Sequence, residues 1–150
     1  MKDRIIYDGK SEILTIKNDS EIFINNIDSF NLTIVLEDNI NCDVYYFNKL
    51  NVSNSITVNH GEYSKFNLYH SFDIDGEYNF TYRANMNGNS NVNNITITGV
   101  SSNMASLDID GNVLNGTKEN ELNENIKILT VGGKAYVSPM IKVNCYDVIA

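Results

Sequence analysis

The side chains of this 150-residue chain that are suited to chemistry are few and scattered. Cys42 and Cys145 lie 103 positions apart (145 − 42), which is neither a disulfide framework nor a Cys-x-x-Cys metal spacing. Reduced thiols are the expectation. A cluster ligand set needs about four thiolates, so Cys145 could serve as a cluster or persulfide thiol only beside a partner chain. The plainer reading is a small buried side chain. His60 and His70, with Cys42, Asp73 and Asp75, make up a donor set for a soft or borderline metal. No ligand spacing joins them, so His60 before Gly61 reads as a turn residue, and Asp73 and Asp75 as alternate positions on a solvent-facing strand.

Asp108 and Asp110 share one face of a strand, with a separation of about 6.5–7 Å that nominally suits a carboxylate pair for glycoside cleavage. The chain has no tryptophan platform and no arginine cluster to hold a sugar, and acidic residues on an outward face make the same pattern. Gly-rich phosphate loops, nucleophile elbows and Ser/His/Asp arrangements do not stand out. We therefore expect no enzyme, and no catalytic, cofactor-binding or metal-binding residues.

What would position such residues is a succession of short alternating runs: EILTI, EIFIN, NLTIVL, DVYYF, SITV, KFNLY, YNFTY, NNITIT, SLDIDG, IKIL and PMIKV. Each places apolar residues two apart, between Asn, Asp, Gly or Ser, which is the strand period with turn punctuation. The chain reads as all-β. Ile56, Leu68, Phe80 and Val92 recur at intervals of 12 (68 − 56, 80 − 68, 92 − 80), a regularity that fits an antiparallel sandwich or a solenoid of stacked parallel strands. Asp75-Gly76, Asn87-Gly88, Asp110-Gly111 and Asn115-Gly116 would suit hairpins. Asn25-Asn26 and Asn93-Asn94 would suit coil corners, because asparagine tolerates left-handed backbone. The single proline and absence of tryptophan tip the choice to the solenoid over the sandwich. Phe66, Leu68, Phe80 and Ile95 are the expected core, and outward tyrosines from among Tyr45, Tyr46, Tyr63, Tyr69, Tyr78, Tyr82, Tyr136 and Tyr146 would suit an interface.

The formal charge of −8, with 11 scattered Lys and Arg, argues against nucleic acid as a partner. Neither a signal-peptide h-region nor a membrane-spanning run is visible, so the expectation is a single cytoplasmic domain over residues 1–150, with no membrane partner. Sequons at Asn18, Asn31, Asn51, Asn79, Asn94 and Asn115 then read as chance products of an asparagine-rich chain.

The stretch from Tyr69 to Gly116, with the closing segment, carries a succession of pieces: Asp110-Gly111-Asn112-Val113, then TKENELNEN, then Ile126 to Leu129, then Pro139-Met140-Ile141-Lys142-Val143 and Asp147-Val148. In that order they resemble the SufB/SufD family of iron–sulfur cluster assembly proteins over roughly the last half of the chain. The resemblance implies a right-handed parallel β-helix that pairs with a second β-helix and works with a SufC-type ATPase. Two departures accompany it. Scaffold members of the SufB type carry a cysteine six positions before the proline, where this chain has Gly133, and the family's functional His or His-Glu and C-terminal helical part would follow Asp147-Val148, beyond Ala150.

These readings converge on a non-enzymatic scaffold or assembly partner related to iron–sulfur assembly. It would associate through its last strand, with Pro139, Ile141, Val143, Cys145, Asp147 and Val148 as the interface, either to its own copy as a homodimer or to a SufB-type scaffold and a SufC-type ATPase. The alternative is a structural β-helix protein that self-assembles head to tail in the manner of bactofilins, with no cluster role.

Overall fold

The computed structural model describes residues 1–143 and 148–149. Cys145 and Asp147 therefore lie outside the described residues. The chain forms β1 (Asp3–Ile6), β2 (Ile13–Ile16), β3 (Ser20–Asn25), β4 (Asn31–Leu36), β5 (Asn41–Asn48), β6 (Ser53–His60) and β7 (Lys65–Ile74). It continues with β8 (Glu77–Met86), β9 (Val92–Ser101), β10 (Met104–Val113), β11 (Asn120–Thr130), β12 (Lys134–Val143) and β13 (Val148–Ile149). The odd-numbered strands make one sheet in the order β1-β3-β5-β7-β9-β11-β13, and the even-numbered strands make the other, from β2 to β12. All pairings are parallel. Successive strands thus alternate between two sheets, and each coil stacks on the one before it.

This is the parallel β-helix expected from the strand pattern, and not the sandwich. The first half of the chain belongs to the same solenoid. None of the Asx-Gly pairs makes a hairpin: Gly76 links two strands of opposite sheets, and Gly111 lies inside β10. The polar stretch TKENELNEN is mostly strand, since β11 begins at Asn120.

The interval of 12 residues turns out to be half a coil. Ile56 and Phe80 lie in one sheet and Leu68 and Val92 in the other. The true repeat grows along the chain. In the odd sheet, partners are 17 residues apart from Asp3 to Ser20 (20 − 3), then 22 (42 − 20), 24 (66 − 42), 27 (93 − 66) and 29 (122 − 93). Strands lengthen in step, from 4 residues in β1 and β2 to 10 in β7 and β8 and 11 in β11. At about 3.3 Å per residue the solenoid widens from roughly 13 Å to 33 Å or more. It is a tapered stack with a narrow N-terminal end and a wide C-terminal end.

Alternation decides what lies between the sheets. Phe66, Leu68, His70, Phe72 and Ile74 of β7 point inward, as do Tyr78, Phe80, Tyr82, Ala84 and Met86 of β8, and all are buried. Each large apolar side chain so placed contributes on the order of 1.5–3 kcal/mol. The Phe72 ring occupies the space beside Gly99, its register partner, where an added Cβ would come within 2.1 Å of Cζ. The expected core residues Phe66, Leu68, Phe80 and Ile95 are all inside.

The corners are built from stacked left-handed residues. Asn39, Tyr63, Ser90 and Glu119 have positive φ (63°, 56°, 53° and 59°), each shortly before an odd-sheet strand. Backbone bonds tie them in a column: Asn39 N–H to the Glu62 carbonyl (2.8 Å), Tyr63 to Asn89 (2.9 Å) and Ser90 to Lys118 (2.9 Å). Asn26 (φ 54°) is a corner as expected. Asn93-Asn94 is not, because both lie within β9, with Asn93 buried and Asn94 outward.

Candidate functional site

Inside the solenoid, the residues with chemical potential are fully engaged. His60 is the last residue of β6, not a turn residue, and is buried. Its Nδ1 lies 2.8 Å from Ser64 Oγ, whose hydroxyl donates to the Gly61 carbonyl (2.9 Å). Its Nε2 lies 2.8 Å from Asn93 Nδ2, and Tyr82 donates its hydroxyl to Asn93 Oδ1 (2.9 Å). His70 Nδ1 lies 2.9 Å from the Tyr46 carbonyl and Nε2 2.8 Å from the Tyr78 hydroxyl, while the imidazole stacks on the Tyr46 ring at 4.0 Å. The His60 chain of donors and acceptors closes with a neutral imidazole that carries the proton on Nδ1. Burial agrees, holding both histidines down to about 4. Neither ring keeps a nitrogen for a metal.

Cys42 is also buried, and desolvation, aided by the Asp43 charge, pushes its thiol up to about 12. A thiolate ligand or nucleophile is disfavoured there. Among the described residues, no three of His, Cys, Asp and Glu are grouped to hold a metal ion. Asp73 and Asp75 are exposed, and Asn51 Nδ2 donates to Asp75 (3.0 Å). Asp108 and Asp110 share the outer face of β10 as expected, but Arg83 Nη2 sits 3.4 Å from Asp110 on an open sheet surface. That ion pair, rather than a cleft for a sugar, is what Asp110 makes.

The terminal coil is where side chains stand unshielded. β12 is the outermost strand of its sheet among the described residues. Ala135, Val137, Pro139 and Ile141 lie in register with the inward-facing Ala105, Leu107, Ile109 and Gly111. Those earlier residues are buried, but Val137 and Ile141 are 38% and 39% exposed. In the facing sheet Leu122, Glu124, Ile126 and Ile128 continue the rows of Asn93, Ile95, Ile97 and Gly99. Glu124 is thus a carboxylate in a core row, and burial raises its pKa. Pro139 sits on the edge strand, where a missing N–H costs least. Of the remaining interface residues, the backbone of Val143 ends β12, and the backbone of Val148 pairs with that of Asn120. Gly133 packs against the preceding coil so closely that a Cβ would fall 2.5 Å from Asn103 N. A cysteine there would not fit without moving backbone.

The outer face of the odd sheet carries two ladders that the sequence reading did not single out. Asp43, Asn67, Asn94 and Asn123 are in register, and each asparagine donates Nδ2 to the one before it (2.7, 2.8 and 2.7 Å). Lys2 pairs with Asp43 at the narrow end. Beside them Phe23, Tyr45 and Tyr69 stack at 5.3 and 5.2 Å, with Arg4 5.1 Å above the Phe23 ring. The signal was present as outward positions at intervals of 22 and 24 (45 − 23, 69 − 45), but it becomes readable only once the coil length is known. Tyr45, Tyr63, Tyr69 and Tyr136 face out, whereas Tyr46, Tyr78 and Tyr82 are core; Tyr146 lies outside the described residues.

The fold thus defines a parallel β-helix whose interior is filled by packing, and among the described residues its exposed features include the terminal coil and one aromatic face. No family model matches this chain, and no curated protein or solved structure matches it either. Among the described residues no helix is long and apolar enough to cross a membrane.

Proposed function

We propose that this protein is a non-catalytic assembly module that associates through its wide C-terminal end. The observation that carries the reading is the last coil, where Val137 and Ile141 stand exposed in rows that β6, β8 and β10 keep buried. Apolar rows of this kind lose water most effectively against an equivalent set of rows. Pro139 offers no N–H, so contact there rests on side chains, with strand-edge hydrogen bonds on either side of it.

The taper argues for what such an end would meet. Head-to-tail stacking would set strands of 10 and 11 residues against strands of 4, leaving most of the wide end uncovered. Two wide ends facing each other about a two-fold axis match in length and in apolar content. This favours a discrete homodimer over a bactofilin-like filament. The resemblance to SufB/SufD supplies the second occupant, a SufB-type β-helix, with a SufC-type ATPase in the same complex. Among the described residues no thiol is placed for a cluster, since Cys42 is buried and Gly133 leaves no room for a cysteine.

Sedimentation equilibrium on the full chain tests the reading. A dimer that dissociates in the Val137→Asp/Ile141→Asp variant, at unchanged secondary structure, is expected; a monomer at all concentrations overturns it, and filaments would favour the bactofilin-like alternative. Anaerobic affinity capture separates the two partners. Recovery of a SufB-type scaffold or SufC-type ATPase supports the iron–sulfur reading, and recovery of the protein alone supports a purely structural one.

A further inference from the structure

A groove runs along the outer face of the odd sheet, remote from the terminal coil and independent of the dimer reading. Its volume is about 680 Å³, within the range of small-molecule sites. One wall is the ladder of Phe23, Tyr45 and Tyr69; the other carries Phe47, followed by Ser71 one strand further on. The two walls are outward rows two residues apart on the same strands, so the floor between them is strand backbone about 7 Å wide. From β1 to β9 it crosses five strands, a span of about 19 Å. Tyr45, Phe47 and Tyr69 are 38%, 38% and 43% exposed, a large apolar surface for one sheet face.

The ring geometry limits what can bind. Phe23, Tyr45 and Tyr69 cover one another face to face, and Arg4 covers the outer face of Phe23. Sugar rings, which stack on open aromatic faces, are left only the Tyr69 face toward Thr96. Ring edges and the Phe47 side chain remain, and they suit a narrow, flexible hydrocarbon lying along the slot. Arg4 stands at its narrow end. Among the described residues the ion pairs are Lys2–Asp43 and Arg83–Asp110, so no carboxylate pairs with the Arg4 guanidinium within 4 Å, although Glu21 is its register partner on β3. We propose that this groove binds a linear alkyl carboxylate, with the chain along the aromatic ladder and the carboxylate on Arg4.

Calorimetric titration of the full chain with dodecanoate, and with dodecanol as the uncharged probe, tests this below the concentration at which either aggregates. Saturable uptake of one dodecanoate per chain is expected. Arg4→Gln should weaken dodecanoate by about tenfold or more and dodecanol by less than about twofold. Ser71→Phe extends the aromatic wall into the slot without removing a packing contact, and should abolish uptake of both at an unchanged thermal midpoint. Val137→Asp, at the open end, should leave uptake intact. Absence of saturable uptake overturns the proposal, as does uptake indifferent to Ser71→Phe or an Arg4→Gln loss equal for acid and alcohol. Self-association abolished by Ser71→Phe would make the face an interface between copies and also overturn it.

Discussion

Asn93 Nδ2 reaches His60 Nε2 across 2.8 Å, joining the two sheets by a hydrogen bond buried in the interior of the solenoid. Asn93 also accepts from Tyr82, so its amide is the shared link of a Tyr82–Asn93–His60–Ser64 chain. Such a link is expensive to cut, since both neighbours lose a partner where no water replaces it.

Asn93→Ala should therefore destabilise by about 2–4 kcal/mol, well above the ~1 kcal/mol expected for Tyr82→Phe, which removes one partner only. Urea unfolding of both variants and the double variant measures this. Additive losses would mean that the chain is not coupled.

Acid should weaken the fold through the same interior. His60 and His70 are held near 4 when folded, against an ordinary value of 6.5. Above 6.5 neither state binds the proton; between 6.5 and about 4 the unfolded chain does and the folded chain does not. Their contribution makes stability fall as pH falls across that window, by up to about 2.7 kcal/mol per pH unit for the pair, and level off below it. Unfolding midpoints from pH 7.5 to 3.5 would show the slope, and His70→Gln should halve it.

Glu124 acts in the opposite sense. Its pKa is raised by burial above the ordinary 4.5, so its favourable contribution exists below that value and is lost as pH rises through the folded pKa. Glu124→Gln should raise the melting temperature at pH 7 by about 2–4 °C and leave it unchanged at pH 3.5. An equal shift at both values would point to packing instead.

At Gly133, introducing the cysteine that SufB-type scaffolds carry should loosen the terminal coil, because its Cβ meets the Asn103 backbone. Hydrogen exchange should quicken in β12 and not in β4 or β6 for Gly133→Cys. Unchanged exchange in β12 would show that the coil accommodates the side chain.

Cys42 should resist alkylation at pH 7.5 in a Cys145→Ser background until the chain unfolds, given its burial and a thiol pushed up to about 12. Rapid labelling in the folded state would contradict the packing around β5.

The sequence by itself determined the strands and the class. The quoted runs all fall within or across strands, since period-two alternation is a local property of the chain. It also determined that Phe66, Leu68, Phe80 and Ile95 would face inward. β1 carried no such signal, because Asp-Arg-Ile-Ile sets its apolar residues side by side and not two apart. Only the tertiary structure decided which residues are neighbours across coils. The repeat lengthens with each turn, so no single period aligns Phe23 with Tyr45 and Tyr69, or His60 with Asn93. For the same reason His60 looked like a turn residue beside Gly61, whereas its partner lies 33 positions away. Alternation is written between adjacent residues, but stacking register depends on where every preceding corner turned.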